Sequence, residues 1–170
     1  RNHSSAASDV YKRQEDLVSV NTIILDKLDS NVPLVHEVGK YLILSGGKRL
    51  RPLLTVSSFH MTRNGTSETE NKMNHIGLSA AVEFIHTATL LHDDVIDESK
   101  QRRGKPTANE KWKNKTSVLV GDFLFSRAFQ LMTKYGNTET LKILADTSVV
   151  ISEGEVCLLY TSPSPRDIGE

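Results

Sequence analysis

Apolar residues recur at helical spacing along most of the chain. Between residues 17 and 28 they fall at Leu17, Val20, Ile23, Ile24 and Leu28, one stripe of an amphipathic helix. The pattern then restarts. Asn31 offers a side-chain oxygen to cap a second helix, and Pro33 sits in its first turn, where a missing N–H costs nothing. That helix carries Val35, Val38, Tyr41, Leu42 and Leu44 until Ser45, Gly46 and Gly47 end it. A third begins near Arg51 and Pro52 and fades in the polar stretch 63–71. The spacing predicts a long fourth helix over 73–98, a turn around Gly104 and Pro106, and two further helices over 117–135 and 138–155. No alternating run of strand type competes, and there is no internal repeat or low-complexity segment. The expected fold class is all-α, a helical bundle.

Both ends lack this period. Residues 4–14 and 157–167 show no helical stripe, yet they are related to each other. Asp9 to Gln14 can be written GAT GTG TAT AAG AGA CAG. The reverse complement of that string, shifted by one base, encodes Cys157 to Thr161, and the next partial codon permits Ser162. Unrelated termini are not expected to be strand complements, and both resemble translated sequencing-library adapter. Residues 1–14 and 157–170 are therefore expected to be adapter-derived and disordered, leaving 15–156 as the evolved part, cut at both ends. An uninterrupted genomic frame through Asp9 and Cys157 would refute this. The alternative is a disordered natural tail at each end.

Setting the ends aside changes what composition implies. The single cysteine, Cys157, drops out, so no disulfide or thiol site remains. A reducing, cytoplasmic location fits. No apolar stretch approaches the roughly 18 residues of a membrane span, and the first residues lack a signal-peptide core. Charge is balanced, 21 Lys+Arg against 21 Asp+Glu, so no global field recruits nucleic acid.

The chemistry concentrates where the fourth helix ends. Residues 91–103 place Asp93, Asp94, Asp97 and Glu98 before the guanidinium pair Arg102 and Arg103. At about 100° and 1.5 Å per residue, Asp93 and Asp97 lie one turn apart on one stripe with Asp94 beside them. Carboxylates so crowded repel unless a cation sits between them. Oxygen ligands completed by water suit Mg2+, commonly held by one or two carboxylates plus substrate phosphates. The arginines would grip the remaining phosphate oxygens bidentately. The bland alternative is a solvated acidic helix end beside a basic loop.

A second cationic cluster, Lys48, Arg49 and Arg51 beside Gly46 and Gly47, reads as a diphosphate seat, since glycine lets backbone approach a ligand closely. Alone it could equally be a glycine stop followed by a basic first turn. His86, seven residues before Asp93, lies about 20° off the same stripe and roughly 10 Å back along the helix. It is read as a donor to phosphate, against the alternative of a satisfied core histidine. His92 falls on another face and is read as structural.

These residues carry a family resemblance. GGKRLRP at 46–52, FIHTATLLHDDVIDES at 84–99, RRGKPTAN at 102–109 and VLVGDFLFSRAFQ at 118–130 resemble the trans-polyprenyl diphosphate synthases, most closely the long-chain octaprenyl, solanesyl and decaprenyl type. The similarity spans residues 15–156, a partial polyprenyl synthase domain. It implies the all-α isoprenoid-synthase bundle, a homodimer, and Mg2+-dependent condensation of isopentenyl diphosphate with an allylic diphosphate. The product would be a long polyprenyl diphosphate that partitions to membranes, as in ubiquinone side-chain synthesis. By the resemblance, Lys48, Arg51, His86 and Arg103 hold isopentenyl diphosphate. Asp93 and Asp97 ligate the metal with Asp94 in the motif's second position, and Arg102 contacts the allylic diphosphate. Leaving-group stabilisation by Asp93, Asp97 and Arg102 is then the central catalytic task.

The resemblance also bears on product length. Positions just before the first aspartate line the family's product tunnel, and here Ala88 and Thr89 are both small, which implies a long product. Ala88 could instead be simply a good helix former. The family's second aspartate-rich motif is not reached, so the 170-residue chain by itself is expected to be inactive, with helix faces lacking partners. Other classes stay open. A metal-dependent hydrolase using His92 with Asp93 would need more histidine ligands, while a carbocation cyclase or a non-catalytic subunit would bind the same diphosphates.

Overall fold

A computed structural model describes residues 3–45, 47–62 and 73–161. The elements in chain order are helices α1 (His3–Lys27), α2 (Pro33–Leu44), α3 (Leu50–Thr62) and α4 (Asn74–Ile96), strands β1 (Gln101–Arg102) and β2 (Lys105–Pro106), and helices α5 (Ala108–Trp112), α6 (Asn114–Tyr135) and α7 (Thr138–Thr161). The polar stretch 63–71, Gly46 and residues 162–170 lie outside the described residues. The chain divides into two compact units, Arg1–Tyr135 and Gly136–Glu170.

In the first unit, α4 is the central helix. It packs on α6, α3 and α1. Phe84, Ala88 and Leu91 of α4 are fully buried, as are Val20 and Ile24 of α1 with Leu28 just past its end, Val38 of α2, Val56 of α3, and Leu124 and Leu131 of α6. The stripe expected in residues 17–28 is thus the buried face of α1. Two glycines set how closely α4 and α6 approach. A Cβ on Gly77 would overlap the ring of Tyr135, and one on Gly121 would overlap the imidazole of His92. The backbone of α6 lies directly on that imidazole, whose Nε2 is 3.2 Å from the Val118 carbonyl oxygen and 3.6 Å from Asp122 Oδ1. His92 serves packing. Gly121→Val is expected to cost about 1–3 kcal/mol through overpacking, read as a lower urea midpoint, and an unchanged midpoint would show that the contact relaxes freely.

Two local expectations are corrected. The N-cap of α2 is Val32, not Asn31, and it makes no side-chain cap bond. Pro33 is the first helical residue, and a residue before proline is pushed out of the α region, which gives Val32 the extended φ −100°, ψ 105° of a cap. Residues 3–14 and 157–161 are helical rather than disordered, as extensions of α1 and α7. Once a helix is nucleated, each added residue costs little, and Ala6, Ala7, Lys12, Arg13 and Gln14 are good helix formers. Conformation does not bear on where those segments came from.

The second unit is α7 with its approach. The side chain of Asn137 caps it, accepting from Thr140 N–H at 2.8 Å. No residue of α7 is buried, and Ile143, Val149, Val150 and Val156 are among its exposed apolar side chains.

Candidate active site

The C-terminal half of α4 positions the site. Glu83, His86, Thr87, Leu90 and Asp94 recur at three- and four-residue spacing, so they share one face, and all five line a cavity of about 290 Å3. Opposite them stand the end of α2, the loop before α3, and the β1–β2 hairpin. The hairpin is built by its sequence. Arg102 pairs with Lys105 across a two-residue turn in which Arg103 (φ 53°) and Gly104 (φ 74°) both take positive φ, as a type I′ turn requires. Its far side is tied to the connection that follows α4: Thr107 Oγ1 donates to the Ser99 carbonyl at 2.6 Å, and Asn109 Nδ2 donates to the same oxygen at 3.1 Å. Tyr41 donates to the Pro106 carbonyl at 2.9 Å. These bonds hold Arg102 and Arg103 over the cavity.

The two carboxylates in the wall are both engaged. Asp94, 2% exposed, accepts the Arg102 guanidinium on its edge, with Nη2 at 2.8 Å and Nε at 3.1 Å from Oδ1. Glu83 accepts Arg49 Nη1 at 2.5 Å, while Arg49 Nη2 donates to the Ile43 carbonyl at 2.8 Å. Arg51, Arg103 and Lys105 line the same cavity, which therefore carries a cationic excess suited to an anion. The hydrogen bond from Arg102 to Asp94 raises the guanidinium's pKa above its usual value, so its charge is permanent.

His86 is half-buried in this cationic surface. Burial lowers its pKa below the usual 6.5, and Arg51, Arg102 and Arg103 lower it further against the opposing pull of Glu83. The unfolded chain binds this proton more readily than the folded one. His86's contribution to stability is therefore full above about pH 6.5 and is lost as pH falls through the lower folded value. An anion in the cavity would favour the charged ring, so binding of an anionic probe such as inorganic pyrophosphate is expected to take up protons near neutral pH. Calorimetry in buffers of different ionisation enthalpy checks this, and buffer-independent heats would contradict it.

Asp93 and Asp97 sit just beyond the cavity wall. Asp97 is the C-cap of α4, its N–H bonded to the Asp93 carbonyl at 2.8 Å. Negative charge is unfavourable at a helix C-terminus, and here four acids crowd it. The strain registers at Asp93, whose pKa is raised by burial, then by Asp97, with Arg102 opposing. Such a donor set of hard oxygens at a negative helix end fits a divalent cation.

The structure thus brings together Arg51, His86, Arg102, Arg103 and Asp94, with Asp93 and Asp97 adjoining. Lys48 is exposed and does not line the cavity. Ala88 is buried among core residues, and Thr89 donates its hydroxyl to the His86 carbonyl at 2.8 Å; neither lines the cavity. The sequence reasoning missed the Arg49–Glu83 pair and Tyr41. One signal for Glu83 was available: a lone acid three residues before His86 on an otherwise apolar stretch.

Residues 32–167 match the family described as Polyprenyl synthetase. The chain belongs to the polyprenyl synthetase family. Its fold is the isoprenoid synthase bundle. It is 46% identical over 156 residues to octaprenyl diphosphate synthase of Escherichia coli, covering 92% of this chain and 46% of that protein. Among solved structures, a decaprenyl diphosphate synthase from Rhodobacter capsulatus superposes with a TM-score of 0.80 at 51% identity, over 91% of this chain and 46% of that one. A polyprenyl synthase from Caulobacter crescentus, complexed with calcium and isoprenyl diphosphate, gives 0.83 at 46% identity, over 92% and 46%. The chain spans about half the length of the polyprenyl synthetases it matches. No described helix is long and apolar enough to cross a membrane.

Proposed function

We propose that this chain supplies the diphosphate-binding half of a trans-polyprenyl diphosphate synthase, which condenses isopentenyl diphosphate with an allylic diphosphate and repeats the step to a long product. The observation that carries this reading is the cationic cavity formed by Arg51, His86 and Arg103, bordered by the acids at the end of α4. Two diphosphates need two seats. Arg51, His86 and Arg103 would hold isopentenyl diphosphate and orient its double bond, a positioning contribution. Arg102, fixed by Asp94, would hold the allylic diphosphate as its C–O bond breaks. Asp93 and Asp97 would hold Mg2+, which supplies positive charge to the departing diphosphate. Lys48, exposed in the loop before α3, would reach the isopentenyl diphosphate only as a flexible point charge.

The homodimer and the cytoplasmic setting belong to the same proposal, as does the assignment of residues 1–14 and 157–170 to adapter. The family match runs on to residue 167, and resequencing the source locus decides the origin of both ends. Incubating a full-length protein containing this half with Mg2+, an allylic diphosphate and isopentenyl diphosphate tests the function. Stepwise longer linear prenyl products support it; cyclic hydrocarbons, free phosphate or inert binding would each assign another class. Product length provides a further prediction. Ala88 is fully buried in the core, where a larger side chain would have to displace its neighbours, whereas Thr89 is half-buried one turn below Asp93. Thr89→Phe is therefore the cleaner substitution, expected to shorten the product; unchanged product length would remove this position from the tunnel.

A further inference from the structure

His75 lies eleven residues, about 16 Å along the axis of α4, before His86. A second cluster of ligand-type side chains meets there, and diphosphate chemistry makes no use of it. Asp16 of α1, His60 of α3 and His75 of α4 each bring one ligand atom within 4.8 Å of the other two. Both imidazoles address the same oxygen: His60 Nε2 is 2.7 Å and His75 Nε2 2.9 Å from Asp16 Oδ2. The ring of Phe59 stacks on His75 with centroids 3.9 Å apart and planes 2° from parallel, which fixes the imidazole plane. His75 Nδ1 is buried without a hydrogen-bond partner, so Nε2 is the one nitrogen of that ring with polar company. The Asp16 and His60 side chains keep 18% and 23% exposure, enough to open a path to solvent.

We propose that Asp16, His60 and His75 form a Zn2+ site that cross-links α1, α3 and α4. An imidazole nitrogen that hands a proton to a carboxylate can instead aim its lone pair at a cation beside it. Two imidazoles and one carboxylate are a zinc donor set with the fourth tetrahedral position left for water. Mg2+ prefers an all-oxygen shell, so this site is chemically distinct from the acids at the far end of α4. With bonds of about 2.1 Å, tetrahedral ligand atoms stand about 3.4 Å apart. The present contacts of 2.7 and 2.9 Å would need to open by about 0.5–0.7 Å, which the partly exposed Asp16 and His60 permit. The bound ion would tie α1 and α3 to the start of the helix that carries the active-site face. It lies too far from that face to touch a diphosphate there.

The test uses the chain stripped by chelator, with Zn2+ titrated by calorimetry near neutral pH and melting followed in parallel. One equivalent of Zn2+ per chain is expected, with a raised melting temperature, while Mg2+ at the same concentration does neither. His60→Gln and Asp16→Asn, both at partly exposed positions and of conserved volume, are expected to weaken Zn2+ binding by about 10²-fold or more. Co2+ in place of Zn2+ is expected to give the visible absorption of a tetrahedral site, absent from both variants. No saturable Zn2+ binding, or binding equally tight in both variants, would overturn the proposal and leave a hydrogen-bonded triad. Either result leaves the prenyl-transfer reading untouched, since no residue is shared.

Discussion

Asp93→Asn, in a full-length enzyme containing this half, is expected to lower kcat by about 10²–10³-fold, the loss typical of removing one electrostatic contact to a developing negative charge. The metal-free protein should meanwhile become slightly more stable, by about 0.3–1 kcal/mol, because a carboxylate near a helix C-terminus opposes the dipole. The sign follows from the raised pKa of Asp93: the folded state holds that proton more tightly than the unfolded one, so ionisation above the raised value costs folding free energy. Asparagine keeps the volume and removes the charge. Kinetics and urea unfolding of the same variant read the two effects. Lost stability with intact turnover would mean that Asp93 is structural, and that the acids at the end of α4 are an ordinary solvated helix terminus.

Asp94→Ala should act through its neighbour. Asp94 is buried and Arg102 grips it with two nitrogens, so removing the carboxylate leaves a guanidinium with no fixed orientation. Arg102 keeps 38% exposure and can turn to water, which limits the stability loss to about 1–3 kcal/mol. Turnover is more sensitive, since a misplacement near 1 Å can cost about 10²-fold. Arg102→Ala added to Asp94→Ala should then cost far less than it does in the unmodified enzyme, because the two act as a unit. Additive losses would show that Asp94 has a role of its own, such as binding metal directly.

The stripes were legible because each helix that matters packs one face. Val20, Ile24 and Leu28 announced α1, and the long apolar run before Asp93 announced α4. The crowding of Asp93 and Asp97 was legible because the two fall one turn apart in the sequence, and the structure shows it as a raised Asp93 pKa; their part in holding a metal belongs to the proposed function. What escaped depends on contacts distant in sequence or on backbone no period records. Arg49 and Glu83 are 34 residues apart, and nothing local distinguishes Arg49 from its neighbour Lys48. The difference lies in the backbone: Arg49 takes φ 49° and turns into the cavity wall, leaving Lys48 in solvent. The hairpin was likewise visible only as a turn, since a positive φ at Arg103 is not written in its side chain. Helix α5, of five residues, is too short to show a period. Asp94 was expected beside the metal, and its burial against Arg102 could not be read from one dimension.

The proposed function requires two diphosphate seats side by side, one built from the arginines and His86 in the cavity and the other needing a divalent cation on Asp93 and Asp97 at its border. Calorimetric titration of the two substrates separately, with Mg2+ and with chelator, tests it most directly. Isopentenyl diphosphate is expected to bind in both conditions and to lose affinity in Arg51→Ala. The allylic diphosphate should bind tightly only with Mg2+, and not in Asp93→Asn. Equal binding of both substrates in chelator, unchanged by either substitution, would contradict the account.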